Sequence, residues 1–409
     1  MARSIDPAQD STKNRRLPRN IWVLTLTSYL TDVSSEMLFN LLPLYLINVL
    51  GVRTAVVGLI EGTAETTASL LKVYAGALSD RTGKRKPLAV LGYGLSSVVK
   101  PLLYFATTWG WVLGVRLGDR VGKGLRTAPR DALLAGSVEA NRRGLAFGLH
   151  RAGDTAGAFT GLGIAALIIW ASQAGRTELT RPTFQWIVLA SIIPAALAVL
   201  LLALFAREAS STERAGGAPQ LRWSGLDRRF RAFLLVVILF TLGNSSDAFI
   251  ILRAQERGLS VLQVMGMLLT FNAVYSLLSG PAGSLSDRLG RRRLLLAGWL
   301  FYSLVYLGFG AARSGGQVWL LFGFYGVYYA LTEGTARAFV ADLVPQDQLG
   351  SAYGLFHAGV GLAALPASLV AGLLWQGLGA WQGFGPAAPF IFGAGMALVA
   401  GLLLLRWVK

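Results

Sequence analysis

The sequence predicts an all-α integral membrane protein whose twelve transmembrane helices form two pseudo-symmetric six-helix bundles. The first observation is composition: 54% of the 409 residues are hydrophobic and only 14% are charged, whereas a soluble domain carries about 25% charged residues. The second is the length of the apolar runs. Residues 184–206 contain no charged side chain, and as a helix they would span a bilayer core of about 30 Å. The third is a repeat of short motifs in the two halves of the chain.

Twelve apolar segments, separated by short polar stretches, give the helices in order. In the first half they are residues 21–49, 54–79, 87–107, 109–130, 144–171 and 184–206. In the second half they are residues 231–252, 260–283, 293–312, 317–340, 349–375 and 388–407. Each segment has the length and the apolar character that a membrane-spanning helix needs.

Two polar stretches complete the domain organisation. Residues 1–20 are polar and basic, and residues 207–230 form the longest polar stretch inside the chain. We interpret the first as a cytoplasmic tail, because it lacks the short apolar core of a signal peptide. The second then links an N-terminal bundle, residues 21–206, to a C-terminal bundle, residues 231–409.

The two halves carry the same motifs at nearly the same offset. The segment GALSDRTGKRK, Gly76–Lys86, matches GSLSDRLGRRR, Gly283–Arg293, and each closes the second helix of its half. The segment LAFGLHRAG, Leu145–Gly153, matches SAYGLFHAG, Ser351–Gly359, and each opens a fifth helix. Parallel repeats of six helices are typical of secondary transporters, which bind substrate between the halves near the bilayer midplane.

The distribution of Lys and Arg predicts the orientation. The side of the N-terminal tail receives Arg15, Arg16, Arg19, both DR-x-G loops, Arg142, Arg143, the linker and Lys409. The other side receives only Arg53, Arg176, Arg181, Arg253, Arg257 and Arg313. By the positive-inside rule both termini are cytoplasmic, in a multi-pass protein of the cell inner membrane. This asymmetry accounts for much of the net charge of +17 without a nucleic-acid partner.

Several kinds of chemistry are excluded by residue counts. The chain has no Cys, so it forms no disulfide and no thiolate site. Its two histidines, His150 and His357, are too few for an ordinary multi-histidine metal site. We expect both to pack near the cytoplasmic gate. No nucleophile–base pair stands out, so we expect neither an enzyme nor a bound cofactor.

The two DR-x-G loops resemble the signature of the major facilitator superfamily, which lies between helices 2 and 3 and, in a weaker copy, between helices 8 and 9. The first copy fits at Gly76, Asp80, Arg81, Gly83, Lys84 and Arg85, and the second at Gly283, Asp287, Arg288, Gly290, Arg291 and Arg292. The resemblance implies that Asp80 faces the N-terminal end of helix 11, where backbone N–H groups favour an anion. It would latch the halves on the cytoplasmic side. We expect Gly76 to allow close helix packing and Gly83 a tight turn.

The fourth helix carries an unusual charged face. Five bases fall within a third of its circumference: Arg116, Arg120, Lys123, Arg126 and Arg130. Asp119 lies in the same arc, within reach of Arg116 and Lys123 along the helix. Such a face must meet protein or a water-filled cavity rather than lipid.

Glycines near this face extend the likeness to a known motif. With Gly122–Gly124, Arg116 resembles the helix 4 motif of the superfamily's proton antiporters; the glycines come two residues later than usual, so Arg120 is the alternative equivalent. Helix 5 adds a small-residue stripe at Gly153, Gly157 and Gly161, which predicts close helix packing.

Carboxyl groups at membrane depth are the other candidates for function. They are Asp32, Glu36, Glu61, Glu65, Asp154, Asp247 and Glu333, with Arg151 and Arg337 near two of them in sequence. Burial disfavours the ionised form of a carboxyl group and a nearby Arg favours it, so a group between these influences can bind and release a proton. For Asp119, Asp154 and Glu333 a structural ion pair is an equal alternative. Asp32 and Glu36 have no base nearby in sequence, and we expect them to bind protons or substrate. Tyr29, Asn244, Asn272 and Tyr275 are further candidates for cavity lining.

We therefore expect a monomeric transporter in the lipid bilayer that exports a small organic molecule in exchange for protons by alternating access. The main competing hypothesis is a carrier of an organic anion, such as a phosphorylated metabolite or a siderophore, held by the bases of helix 4 and Arg151. A lipid flippase, which needs a cavity open to lipid, and a sensor that binds without transport are also compatible with the sequence.

Overall fold

The computed structural model describes residues 17–139, 142–208, 227–345 and 348–408. Within these ranges the chain is almost wholly helical. The α-helices are α1 (Arg19–Phe39), α2 (Leu42–Leu44), α3 (Thr54–Thr82), α4 (Arg85–Val99), α5 (Trp109–Gly136), α6 (Arg143–Gln173), α7 (Arg181–Phe205), α8 (Arg228–Gly243), α9 (Ala248–Glu256), α10 (Val261–Leu289), α11 (Arg291–Ala311), α12 (Gly315–Asp342), α13 (Leu349–Gln376) and α14 (Ala388–Trp407). A π-helix, Tyr45–Val49, follows α2, and a 3₁₀-helix, Lys100–Phe105, follows α4. Most of the predicted tail and linker lies outside the described residues.

These elements make twelve spans, as the sequence predicts. The first combines α1, α2 and the π-helix, the third combines α4 and the 3₁₀-helix, and the seventh combines α8 and α9. Eight of the described segments are long and apolar enough to cross a membrane by length and composition alone. The remaining four spans are α1, α3, α5 and α12, and each of them carries several charged side chains. The fold therefore has to shield those charges from lipid.

Three spans are interrupted, and two of the breaks contain a proline. Pro43 lies in α2 and Pro101 is the second residue of the 3₁₀-helix. A proline removes a backbone donor and disrupts regular α-helix. The third break, residues 244–247, separates α8 from α9 without a proline. Irregular backbone at membrane depth is tolerated where it is buried in protein or lines a cavity, and this break lines the central cavity.

Glycines allow close approach at two helix interfaces. The predicted stripe on α6 packs on α1: a Cβ added at Gly157 would lie 2.4 Å from the carbonyl oxygen of Tyr29, and one at Gly161 would lie 2.5 Å from that of Val33. Across the bundles, α3 packs on α13 even more closely. A Cβ added at Gly58 would lie 2.1 Å from the carbonyl oxygen of Ser368. The two bundles thus meet backbone to backbone along this interface.

The two DR-x-G loops repeat in structure as well as in sequence. Gly83 (φ 64°) and Gly290 (φ 88°) take left-handed conformations directly after α3 and α10, as predicted for Gly83. Arg85 then donates a hydrogen bond to the carbonyl oxygen of Ala132 in α5, at 3.4 Å, and Arg291 donates one to that of Ala338 in α12, at 2.6 Å. Each arginine thus bonds its loop to the fourth span of its own bundle, which is α5 in the first half and α12 in the second.

The predictions for two other residues of the first motif, Gly76 and Asp80, are not confirmed as that for Gly83 is. The prediction that Gly76 is needed for close packing is wrong, because a Cβ there would sit 3.5 Å from the Cβ of Ala128, an ordinary contact distance. The side chain of Asp80 lies outside the part of the chain that the structure describes, so its latch stays a prediction. Its counterpart Asp287 is exposed and lies 3.6 Å from Arg291 within the same loop.

We call the end of the molecule that carries Arg19, Arg85, Arg142, Arg291 and Arg406 the basic face, and the other end the opposite face. Hydrogen bonds between the bundles close the opposite face. The amide groups of Asn48 and Gln255 bond to each other at 3.1 and 2.8 Å. The backbone N–H of Thr54 donates to Gln376 at 2.9 Å, and Arg53 donates to the carbonyl oxygen of Gly379 at 3.1 Å.

One charge that was expected in a loop lies instead inside the protein. Arg253 is predicted from the sequence to be a loop charge of the opposite face, but it belongs to α9 and is 1% exposed. Its guanidinium donates to the carbonyl oxygens of Phe309 and Gly310 at the end of α11 and pairs with Glu256 at 2.6 Å. The last carbonyls of a helix lack partners within it, so this arginine caps α11.

Candidate functional site

A cavity of about 420 Å³ lies between the bundles at the middle of the membrane-spanning region. We call its side formed by α1, α3 and α5 the N-terminal wall, and its side formed by α8, α9, α12, α13 and residues 244–247 the C-terminal wall. Nine of the predicted site residues line it: Asp32, Glu36, Glu61, Glu65, Arg116, Arg120, Lys123, Arg126 and Asp247. The charged face of α5 thus meets a cavity, as the sequence predicts.

Arg116 and Glu61 form a buried ion pair on the N-terminal wall. Nη2 of Arg116 lies 2.7 Å from Oε2 of Glu61, and both side chains are more than nine-tenths buried. The pair joins α5 to α3. Removing either partner would leave an uncompensated charge at membrane depth, which is costly.

Arg120 makes two ion pairs. Its guanidinium donates to Oδ2 of Asp119 at 2.8 and 3.0 Å and to Glu65 at 3.2 Å. Asp119 thus forms its ion pair with its sequence neighbour Arg120, and Arg116 acts on it electrostatically from one turn away. The neighbouring Arg120 reaches back to it, because a long guanidinium side chain can fold beside its own backbone and fork onto one carboxylate.

A third cation and an aromatic ring complete this cluster. Lys100 is 1% exposed, and its Nζ donates to the hydroxyl groups of Ser34 at 3.2 Å and Ser35 at 2.8 Å. The ring of Phe39 lies under three cations, with its centroid 4.3 Å from Arg116, 5.4 Å from Arg120 and 5.8 Å from Lys100. Cation–π attraction strengthens when the groups are desolvated. Sequence reasoning missed Lys100, although a single charge in the apolar run 87–107 was a usable signal.

The remaining bases are less constrained. Arg126 donates to the hydroxyl group of Ser96 at 2.8 Å and lies 4.6 Å from the ring centroid of Tyr93. The side chain of Lys123 is half-buried at the cavity surface and makes no ion pair or hydrogen bond to another described residue. The N-terminal wall therefore holds one amino group that is free to meet a ligand.

The carboxylates of α1 stand apart from the arginine pairs. Glu36 accepts a hydrogen bond from the side-chain amide of Asn40 at 2.8 Å, which confirms that the two share a face. Asp32 lines the cavity one turn away and has no base within ion-pair distance in the described chain. It interacts electrostatically with Asp154 and Glu36, which repel it, and with Lys123 and Arg126, which attract it.

The C-terminal wall is made of neutral polar groups and one acid. Asp247, at the start of α9, accepts a hydrogen bond from the hydroxyl group of Tyr325 at 2.9 Å. The amide oxygen of Asn244 lies 3.4 Å from the hydroxyl oxygens of Tyr302, Tyr306 and Tyr325. Asn244 lines the cavity as predicted, whereas Tyr29 donates to Thr160 and Asn272 donates to the carbonyl oxygen of Leu268.

Four more of the predicted site residues, Arg151, Asp154, Glu333 and Arg337, line a second cavity of about 360 Å³, nearer the basic face, which we call the vestibule. Its charged and titratable residues are Arg130, Asp131, His150, Arg151, Asp154, Tyr275, Tyr329, Glu333 and Arg337. Tyr329 lines both cavities and so forms part of the partition between them.

Contacts in the vestibule join the two bundles. Arg151 donates to the hydroxyl oxygen of Tyr275 at 3.0 Å and lies 3.9 Å from Glu333. Glu333 also accepts hydrogen bonds from Tyr275 and, at 2.7 Å, from Arg337, as its sequence spacing predicts. Asp154 pairs not with its sequence neighbour Arg151 but with His150, whose Nε2 lies 3.8 Å from Oδ1 of Asp154.

The geometry is that of a two-bundle carrier with a central polar cavity, and comparison with known proteins gives the family. The family model of the Major Facilitator Superfamily matches residues 24–265 and 232–409. The chain belongs to this superfamily. Across 404 residues it is 37% identical to an uncharacterized MFS-type transporter of Methanocaldococcus jannaschii, with 97% of each chain covered.

More distant relatives and solved structures agree with this membership. The chain is 24% identical over 374 residues to the multi-drug resistance efflux pump PmrA of Streptococcus pneumoniae, covering 86% of this chain and 89% of the pump. Among solved structures, the nucleoside transporter NupG superposes with a TM-score of 0.80 at 13% identity, covering 95% of this chain and all of that one. A D-xylose–proton symporter superposes with a TM-score of 0.75 at 17% identity, covering 96% of this chain and 98% of that one.

Membership in this superfamily decides the general activity. The protein is a multi-pass membrane transporter that takes a small-molecule substrate, and it is not an enzyme. The superpositions on solved structures show the fold, but at such low identity they do not show the substrate. The substrate, the coupling ion and the direction must be argued from the cavity itself.

Proposed function

We propose that this transporter exports a small organic molecule in exchange for protons, with Asp32 as the proton-binding group. In this proposal the basic face and both termini are cytoplasmic, and the membrane is the cell inner membrane. A monomer works by rocking the bundles, residues 21–206 and 231–409, around the central cavity. The linker, residues 207–230, keeps them attached, and the DR-x-G loops with Asp80 latch the basic face when the opposite face opens.

The observation that carries the proposal is that Asp32 differs from the ion-paired acids of the N-terminal wall. Glu36 also has no ion-pair partner among the described residues, but it accepts a hydrogen bond from Asn40 at 2.8 Å. Glu61, Glu65 and Asp119 each lie within 3.2 Å of an arginine, so their charge is fixed. Asp32 faces the cavity without such a partner in the described chain. Acids repel it and bases attract it, so the balance between its two protonation states is easily moved.

Coupling then follows from competition for one site. A substrate that approaches Asp32 through a cationic or hydrogen-bond-donating group favours the ionised carboxylate and displaces the proton. When the substrate leaves, an ionised carboxylate at membrane depth is unfavourable, so Asp32 takes up a proton again. Each conformational cycle would thus exchange one substrate molecule for a proton.

Two further observations support this direction and mode. The relative from Streptococcus pneumoniae is named as an efflux pump, which favours export. The opposite face is closed by hydrogen bonds between the bundles, so the conformation described here is one of the states that alternating access requires.

The test is purified protein in liposomes that contain a pH-sensitive dye. The panel is ethidium, xylose, uridine and glycerol 3-phosphate, which sample an organic cation, two neutral molecules and an organic phosphate. We expect one of these classes to drive proton movement in wild type, and Asp32→Asn to abolish it. Asp227→Asn, which removes a carboxyl charge at the N-cap of α8 outside both cavities and keeps a side chain able to cap the helix, serves as the matched control. Proton movement that survives in Asp32→Asn would remove the basis of the proposal.

A second function, transport of an organic anion, is favoured by one specific observation. Lys123 is a cation at the cavity surface without an ion-pair partner in the described chain, and such a group can bind a phosphate or carboxylate. If glycerol 3-phosphate exchanges in counterflow without proton movement, and Lys123→Met abolishes that exchange, the anion carrier replaces the proton-coupled exporter.

A further inference from the structure

Three titratable side chains form a ladder along the interface of α1 and α6. Asp32 of α1 lies against α6, because its Cβ is 3.1 Å from the position of a Cβ added at Gly157. Asp154 lies one helical turn before Gly157 on α6, and His150 one turn before Asp154. Each step is therefore a rise of about 5 Å toward the basic face.

The ladder connects the two cavities. Asp32 lines the central cavity, whereas Asp154 and His150 line the vestibule. Asp32 and Asp154 are close enough to interact electrostatically, and His150 lies 3.8 Å from Asp154. Tyr329, which lines both cavities, belongs to α12 of the C-terminal bundle, whereas all three groups of the ladder belong to the N-terminal bundle.

The groups of the ladder have unused hydrogen-bonding capacity. Both ring nitrogens of His150 and Oδ1 of Asp154 are buried and make no hydrogen bond within the described part of the chain. A buried polar atom without a partner is costly and calls for an explanation. These atoms would lack protein partners because they bind a transferred proton, or a water molecule that carries it.

Charged neighbours surround the lower two steps. From α5, Arg130 interacts with both Asp154 and His150, and Asp131 interacts with His150. From α6, Arg151 interacts with both. Glu333, Arg337 and Tyr275 face them from α12 and α10 across the vestibule. The bases favour fast release of a proton from His150, and the acids keep the pathway from becoming a fixed positive site.

We propose that Asp154 and His150 carry the proton between Asp32 and the vestibule, so that proton and substrate use different routes to the basic face. This rests on the proposed function, in which Asp32 exchanges protons. Protonated Asp32 gives its proton to the Asp154 carboxylate, either directly or through one water molecule. Asp154 passes it to Nε2 of His150. Rotation of the protonated ring then turns Nε2 toward the vestibule, where it releases the proton to water, and the ring returns with its Nδ1 proton unchanged.

The test separates proton movement from substrate movement. In liposomes, the panel compound that drives the largest proton flux in wild type is measured in two assays: net proton flux, and counterflow exchange of that compound. We expect His150→Gln and Asp154→Asn each to lower proton flux about 10- to 100-fold while counterflow stays near the wild-type rate. Counterflow also shows that each variant is folded.

The matched control is His357→Gln, since His357 occupies nearly the equivalent place in the C-terminal bundle and packs on Tyr353 and Phe356. We expect it to keep wild-type proton flux. If Asp32→Asn abolishes proton flux but His150→Gln and Asp154→Asn retain it, the relay is wrong and the proposed function stands. If wild type moves no protons with any compound, both are wrong. Equal loss of proton flux and counterflow would assign the two residues to gating and overturn the relay.

Discussion

The two walls of the central cavity come from repeated halves of one chain, yet their chemistry differs. The N-terminal wall holds four of the five carboxylates and all four bases that line the cavity, fixed largely by ion pairs between α3 and α5. The C-terminal wall holds one carboxylate, Asp247, beside a cluster of tyrosines on α11 and α12 that stack on one another, such as Tyr302 on Tyr306 with centroids 4.0 Å apart.

The repeat therefore preserves the frame of the bundles and not the chemistry of the site. Both bundles keep a left-handed glycine after the second helix of the half, and both use an arginine to tie the next loop to the fourth helix. Tyrosine hydroxyl groups satisfy polar atoms without charge, so the C-terminal wall needs no counter-ions. Nearly all the ionisable side chains that line the cavity therefore belong to the N-terminal bundle.

The largest effect is expected from breaking an ion pair of the N-terminal wall. Arg116→Met leaves Glu61 buried without its partner, which should lower the free energy of unfolding by about 3–5 kcal/mol. The measurement is thermal unfolding in detergent. In the double variant Arg116→Met/Glu61→Gln no charge is stranded, and most of the loss should be recovered. A double variant as unstable as the single one would contradict the assignment of this pair.

An intermediate effect is expected where the two bundles touch. Gly58→Ala places a methyl group against the carbonyl oxygen of Ser368, and overpacking of this kind costs about 1–3 kcal/mol. Since Gly58 and Ser368 belong to different bundles, we expect the substitution to push the bundles apart here and to favour opening of the opposite face. The chain has no native Cys, so spin labels at Val52→Cys and Leu378→Cys report the distance across this face.

The control for that experiment is Gly163→Ala on α6, where an added Cβ meets nothing within 4 Å. We expect a longer label distance in Gly58→Ala and an unchanged distance in Gly163→Ala. A distance in Gly58→Ala equal to that of wild type would mean that α3 and α13 adjust without separating.

The smallest effect is expected on the C-terminal wall. Tyr325→Phe removes the hydrogen bond to Asp247 at 2.9 Å, and a bond to a carboxyl group contributes about 1–3 kcal/mol. Tyr306→Phe removes a long contact of 3.4 Å to Asn244 and hydrogen bonds to Tyr302, Tyr325 and Ser245. None of these partners is a carboxyl group, so the substitution should change stability by less. Thermal unfolding of both variants tests the order. A larger loss in Tyr306→Phe would show that packing among the rings, rather than hydrogen bonding, organises this wall.

The architecture could be predicted from the sequence because it depends on properties of single segments. Apolar runs gave twelve spans whose bounds agree with the helices to within six residues, and helical periodicity put Arg116, Arg120, Lys123 and Arg126 on one face. The stripe Gly153, Gly157 and Gly161 indicated a close interface, which α1 fills.

The pairing of charges could not be predicted, because it depends on which helices become neighbours. Glu61 and Arg116 are 55 positions apart, and nothing in either segment names the other. On α6 the spacing of Asp154 fitted both His150 and Arg151, and only the structure shows that the side chain lies 3.8 Å from His150. Lys100 was overlooked because its partners, two serine hydroxyl groups, lie on a different helix.

The amide pair that closes the opposite face has a consequence for the response to membrane potential. Moving one elementary charge across a membrane is worth about 2.3 kcal/mol per 100 mV. Separating Asn48 from Gln255 moves no ionised group, and Arg53, which donates across this face, lies outside the spans in a surface loop. Breaking these contacts therefore contributes no voltage dependence of its own. The voltage acts instead on the charged wall of the cavity, through whatever net charge it carries as it changes sides.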